Sequence, residues 1–129
     1  MAWSTLFINI YLPCTSASDW ESDYLDCLAC VVNDVRDVQY KTLITGGDFN
    51  VDFTSKHPMV AVLHNLMVDF ALSNMDSKLS SGRKSSFRVH TRGASSLIDH
   101  FFVSDSLYDS VVSADIADSG LNLSDHCAV

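Results

Sequence analysis

The sequence predicts a mixed α/β layered sandwich. Strand and helix patterns alternate through the first half of the chain, and short strand patterns dominate the second half. Polar clusters containing Asp, Asn and His recur where predicted strands end, which is where α/β folds build sites.

The first strand covers Leu6 to Leu12. Its residues alternate, with Ile8, Ile10 and Leu12 on one face and Phe7, Asn9 and Tyr11 on the other. Pro13 closes it. Ser18-Asp19-Trp20-Glu21 has the form of a capping box, with Ser at the N-cap and Glu three residues on. Tyr24, Leu25, Leu28, Val31, Val32 and Val35 follow at helical spacing, predicting a helix from Asp19 to Val38. Lys41 to Thr45 reads as a strand ended by Gly46-Gly47, and Asp48 to Ser55 as a loop. Pro58 suits the first position of a second helix, Pro58 to Leu72, with Val62, Leu63, Leu66 and Phe70 as its buried stripe.

Ser73 to Ser86 is polar and reads as a surface loop. Phe87 to His90 and Leu97 to Ser104 read as two strands around the turn Thr91-Arg92-Gly93-Ala94. Val111 to Ile116 is a further strand, and Cys127-Ala128-Val129 opens a last one. The two helices are expected on the outer face of one sheet, leaving an inner apolar face that wants a second sheet.

The chain has 129 residues, 47% of them apolar, enough for one packed domain. Its formal charge is −8, from 16 acidic and 8 basic residues. That balance repels polyanions, so a phosphate-bearing substrate would need a cation to offset it. Glu21 is the only glutamate. The four cysteines need no disulfide framework in a chain with this much apolar residue, and a reduced, intracellular setting is the simpler reading. Cys27 and Cys30 form C-x-x-C inside a helical pattern without a second pair, which argues against structural zinc. No apolar run reaches the roughly 20 residues of a membrane span, and no membrane partner is expected. Asp48 to Asp52 spells D-x-N-x-D, but Phe53 and Met59 stand where a calcium loop needs Gly and Glu.

Three clusters carry the chemistry: Gly46-Gly47-Asp48-Phe49-Asn50, Asp99 between Ile98 and His100, and Ser124-Asp125-His126. Phosphodiester hydrolysis needs a positioned water, a proton acceptor and positive charge on the phosphate. Asp48 and Asn50 alternate along the chain, so both can point the same way. Asp99 sits among apolar neighbours and needs a partner, and a His paired with a carboxylate is held in one tautomer beside a phosphate. Asp99 and His126 can form that pair. His57, His64, His90 and His100 show no such spacing, and His100 points away from Asp99.

With Ile10-Tyr11-Leu12-Pro13 and Ser95-Ser96-Leu97-Ile98-Asp99-His100, these pieces resemble the endonuclease/exonuclease/phosphatase superfamily, and within it the apurinic-type endonuclease domain of non-long-terminal-repeat retrotransposons. The resemblance covers nearly the whole chain. It implies the DNase-like fold, a two-sheet α/β sandwich of which the chain resembles the C-terminal half. Residues 1–129 are accordingly expected to form a partial domain, truncated at the N-terminus and slightly at the C-terminus. It implies metal-dependent nicking of DNA, with Mg2+ or Mn2+ as cofactor. By position, Tyr11 contacts the scissile phosphate, Asp48 activates the water or protonates the leaving group, and Asn50 helps hold phosphate and metal. Asp99 orients His126, which meets a phosphate oxygen. Asp125 is a metal-side carboxylate, and Ser124 and Ser86 are phosphate-side hydroxyls. A reverse transcriptase domain as partner and a nuclear location belong to the same implication.

The family's first-strand Asn and metal-binding Glu find no counterpart, since only ten residues precede Tyr11 and the capping box engages Glu21. A non-catalytic remnant is therefore one alternative. A phosphoinositide or sphingomyelin phosphodiesterase is another. Lys78, Arg83 and Lys84, in the polar loop, are the candidate contacts for a nucleic-acid backbone.

Overall fold

The computed structural model describes residues 4–14, 18–80, 85–89, 91–118, 122 and 124–129. Alternation in the first segment forms strand β1 (Thr5–Tyr11), with Phe7 and Tyr11 exposed and Ile10 buried. Helix α1 (Trp20–Asp37) follows and buries Tyr24, Leu28 and Val35. Its N-cap is Asp19, without a side-chain cap, so the expected capping box does not form. Glu21 stands exposed in the first turn, where its charge complements the helix dipole.

Strand β2 (Thr42–Asp48) runs parallel to β1, and α1 is the crossover between them. It continues through Gly46-Gly47, which does not end it as the sequence suggested. The pairing requires both glycines. A Cβ on Gly46 would come within 2.5 Å of the Phe101 ring, and one on Gly47 within 2.0 Å of the Ile10 carbonyl. Gly47 also holds φ +137°, a conformation L side chains rarely adopt.

Helix α2 (Met59–Asp69) is shorter than the expected Pro58 to Leu72. Pro58 is its N-cap, and His57 Nδ1 accepts a hydrogen bond from the Met59 amide. Ala71, at φ 49°, stops the helix and turns the chain into strand β3 (Leu72–Asn74). The stretch read as a surface loop thus begins with a strand, followed by a 3-10 turn at Met75–Lys78. Within it Lys78 is drawn inward, donating to the carbonyls of Tyr108 and Val111. Arg83 and Lys84 lie outside the described residues, as does His90 at the end of the expected Phe87 to His90 strand.

The expected hairpin of Phe87 to His90 with Leu97 to Ser104 resolves differently. Strands β4 (Phe87–Val89) and β5 (Ala94–Ser96) pair with each other in a small ribbon. Strand β6 (Asp99–Ser104) leaves it and enters the main sheet. That sheet has the order β1-β2-β6-β3, with β6 antiparallel to both neighbours. A second 3-10 helix, Asp105–Ser110, follows. In place of the strands expected at Val111 to Ile116 and Cys127 to Val129, single bridges join Leu79 to Ala114, Ala117 to Ala128 and Phe87 to His126.

The core lies between α1, α2 and one face of the sheet, centred on Leu12, Tyr24, Phe49, Leu63 and Phe102. Burying each such side chain contributes about 1.5–3 kcal/mol. Tyr24 donates its hydroxyl to the Phe49 carbonyl, and burial pushes its phenol pKa up. The opposite sheet face is open. Phe7, Ile44 and Phe101 line a groove there of about 480 Å3, and Phe7 is 71% exposed. The architecture is thus mixed α/β, with helices on one side of the main sheet and the β4–β5 ribbon beside it. No described helix is long and apolar enough to cross a membrane.

Candidate active site

Strand register builds the site. Tyr11 lies opposite Asp48 in the β1–β2 pair, and Asp48 opposite Asp99 in the β2–β6 pair. The three form one row across the sheet, and a strand's period of two puts them on its open face. Tyr11 is 76% exposed there.

His126 closes the row from the C-terminal segment. Its Nδ1 donates to Asp99 Oδ2 at 3.0 Å, and its Nε2 stands 3.8 Å from Asp48 Oδ2. Phe87 packs on the imidazole, with ring centroids 4.9 Å apart. Burial alone would lower the His126 pKa. The hydrogen bond and charge of Asp99, with the charges of Asp48 and Asp125, outweigh it and hold the pKa above its ordinary value. Burial raises the Asp48 carboxyl, and the neighbouring Asp99 charge adds to this. The Asn50 amide and the charges of His126 and His100 oppose the rise without cancelling it.

Asn50 is close to the row but turned differently from the simple alternation. It adopts φ 51°, and its backbone N–H donates to Asp48 Oδ1 at 2.9 Å. Its side-chain Nδ2 donates to the Leu12 carbonyl at 2.7 Å, tying this turn to the end of β1. Asn50 thereby fixes the Asp48 carboxylate. The expected hydroxyls behave as scaffold. Ser86 is fully buried, so its hydroxyl has no access to a phosphate on the open face. Ser124 Oγ accepts from the His126 amide at 3.1 Å, a local turn. Asp125 is exposed and stands outside the central group.

Asp48, Asp99 and His126 each offer one ligand atom, all within 4.8 Å of one another, and among the described residues they form a group that could hold a metal ion. Two carboxylates fit a divalent cation, oxygen suiting the harder ions, and the imidazole can join them only while its Nε2 is unprotonated. Asp48, expected as a metal ligand, belongs to the group; Asp125, also expected as one, does not, and neither does Glu21.

His100 carries an interaction that sequence reasoning missed. It is fully buried on the face opposite Asp99, as expected. Its Nδ1 meets Asp76 at 2.9 Å and its Nε2 meets the Val51 carbonyl at 2.8 Å. This links the 3-10 turn, β6 and the loop after Asp48. An imidazole inside an apolar strand pattern was the available signal, since such a group needs partners.

Two solved structures share this fold. One is an endonuclease/exonuclease/phosphatase family protein from Bacteroides thetaiotaomicron, with TM-score 0.55 and 21% identity, covering 81% of this chain and 36% of that one. The other is a mannosyl-6-phosphatase from the same organism, with TM-score 0.53 and 19% identity, covering 81% of this chain and 38% of that one. This chain therefore spans less than two-fifths of the length of either. At these identities the likeness is one of fold. No protein-family model matches the sequence, and no curated protein matches it.

Proposed function

We propose that this chain carries the acid–base centre of a metal-dependent phosphoester hydrolase of the endonuclease/exonuclease/phosphatase type, acting on DNA phosphodiesters. The observation that carries the reading is the meeting of Asp48, Asp99 and His126 at one end of the open sheet face. Asp99 fixes the orientation of the His126 ring and favours its charged form, in which Nε2–H can donate to a phosphate oxygen. Asp48, fixed by the Asn50 amide, accepts the proton of an attacking water. The water oxygen bonds to phosphorus, the P–O3′ bond breaks, and the released 3′ oxygen takes up a proton. Tyr11, exposed in the same row, can contact the phosphate. A divalent cation, Mg2+ or Mn2+, on the Asp48 and Asp99 carboxylates would offset phosphate charge that a chain of formal charge −8 otherwise repels. The sequence pieces around Tyr11, Asp48, Asp99 and His126 favour DNA, and with it a nuclear role beside a reverse transcriptase that extends the 3′-hydroxyl.

A second reading is a binding fragment without turnover. The only glutamate, Glu21, is exposed in the first turn of α1 and is not one of the grouped ligands.

Incubation of the chain with supercoiled plasmid and Mg2+ or Mn2+ should yield nicked circles, and His126→Ala should not. Mannose 6-phosphate and a phosphoinositide are run alongside. Turnover of those alone would refute the DNA assignment while keeping the hydrolase. Inertness towards all three, with either metal, would establish the fragment reading.

A further inference from the structure

We propose that Ser86 is the positioning residue that assembles the Asp99–His126 pair. The two partners are 27 residues apart in sequence, and Asp99 and the segment carrying His126 both bond to Ser86. Its hydroxyl oxygen accepts from the Ile98 amide at 3.2 Å and from the Asp99 amide at 3.0 Å. A hydroxyl has two acceptor lone pairs, and these two donors use both. Its carbonyl accepts from the Cys127 amide at 2.6 Å, the residue after His126. Its own amide donates to the Ser96 carbonyl at 3.0 Å, so the β4–β5 ribbon anchors it. One fully buried residue thus joins the start of β6, the ribbon and the His126 segment. The neighbours extend the seam: the Arg88 amide donates to the Asp125 carbonyl at 2.9 Å, and the Phe87 ring covers the imidazole.

The chemistry explains the residue type. The chain bends between β5 and β6, leaving the Ile98 and Asp99 amides without ladder partners. Buried amides need acceptors, and the Ser86 oxygen supplies one point that fixes both. Alanine would keep the backbone bonds to Ser96 and Cys127 but release Asp99. Threonine would retain the oxygen.

The proposal rests on reading Asp99 and His126 as the acid–base pair, but its first readouts do not need turnover. In the 15N-labelled full chain, Ser86→Ala should shift the Ile98 and Asp99 amide protons upfield. It should also broaden or abolish the His126 Hδ1 resonance, with the β2 amides still protected from exchange. Ser86→Thr should restore these signals. In the wild-type protein the protection factors of the Asp99 and Cys127 amides should lie within about threefold of each other, because they share one anchor. An unchanged Asp99 amide and His126 resonance in Ser86→Ala would overturn the proposal. If that variant does not fold, wild-type exchange decides: protection factors for the two amides that differ more than about tenfold would overturn it equally. Where the wild type hydrolyses phosphoesters, Ser86→Ala should lower kcat at least tenfold with a smaller change in KM. Failure of wild-type hydrolysis would count against the function and leave the spectroscopic result standing.

Discussion

Asp48 and Asp99 stand opposite each other in the antiparallel register of β2 and β6, and His126 reaches both of them. Two like charges set side by side are unfavourable unless a cation or proton lies between them. When protonated, the imidazole supplies part of that compensation, and a divalent ion would supply the rest.

Replacement of His126 by Ala should cut phosphoester turnover by about 10²- to 10⁴-fold, the usual weight of a general acid–base group. Initial rates with Mg2+ or Mn2+ check this, and the circular dichroism spectrum should be unaltered.

The pH profile of kcat should be bell-shaped and displaced upward on both limbs. The acid limb follows Asp48, whose pKa burial raises, and the basic limb follows His126, held up by Asp99. Asp99→Asn removes the charge and should move the basic limb back towards about 6.5, the ordinary imidazole value.

Stability should share the sign of those shifts. A group with a raised folded-state pKa binds more protons in the native state, so its stabilisation is lost as pH rises through that pKa. For His126 the contribution is complete below about 6.5 and declines above it. His57, lowered by burial, acts in the opposite sense, but below about 6.5. Urea melts at pH 6.5 and above should therefore show falling stability that His126→Ala flattens.

Thr45 Oγ1 is buried without a hydrogen-bond partner, beside an apolar cavity of about 20 Å3 between the sheet and the helices. A water there would need at least two polar partners, and the hydroxyl is one. Thr45→Val keeps the shape and removes the unpaired group, so it should stabilise the fold by about 1 kcal/mol in denaturant titration.

Glycine substitutions should separate by surroundings. Gly93→Ala, at φ +64° with nothing within 4 Å, should cost about 1–2 kcal/mol. Gly47→Ala meets the Ile10 carbonyl as well as an unfavourable φ, and should exceed about 3 kcal/mol or prevent folding. Comparative melting temperatures test the contrast.

The helices and β1 were legible because their apolar residues repeat with clear periods: Tyr24, Leu28 and Val35 on α1, Ile8 and Ile10 on β1. The meeting of Asp48, Asp99 and His126 was legible because strand-end carboxylates and a His belong to one chemistry. What escaped was set by tertiary partners. Leu72–Asn74 is a strand because β6 offers it an edge, not because Ser73 and Asn74 favour one. β2 passes through two glycines because Phe101 and Ile10 occupy the space a side chain would need. The Ser86 hydroxyl was read as facing phosphate because spelling alone does not distinguish a surface serine from one whose oxygen meets two buried amides.

The row of Tyr11, Asp48 and Asp99 also acts as a proofreading device. Sliding β2 by one position against either neighbour would turn Asp48 into the greasy side of the sheet and push Leu43 and Thr45 out into water. Misaligned chains are thus penalised twice, by stranded charge and by wetted hydrocarbon. Only the alignment that sets Asp48 between Tyr11 and Asp99 is also the one that folds.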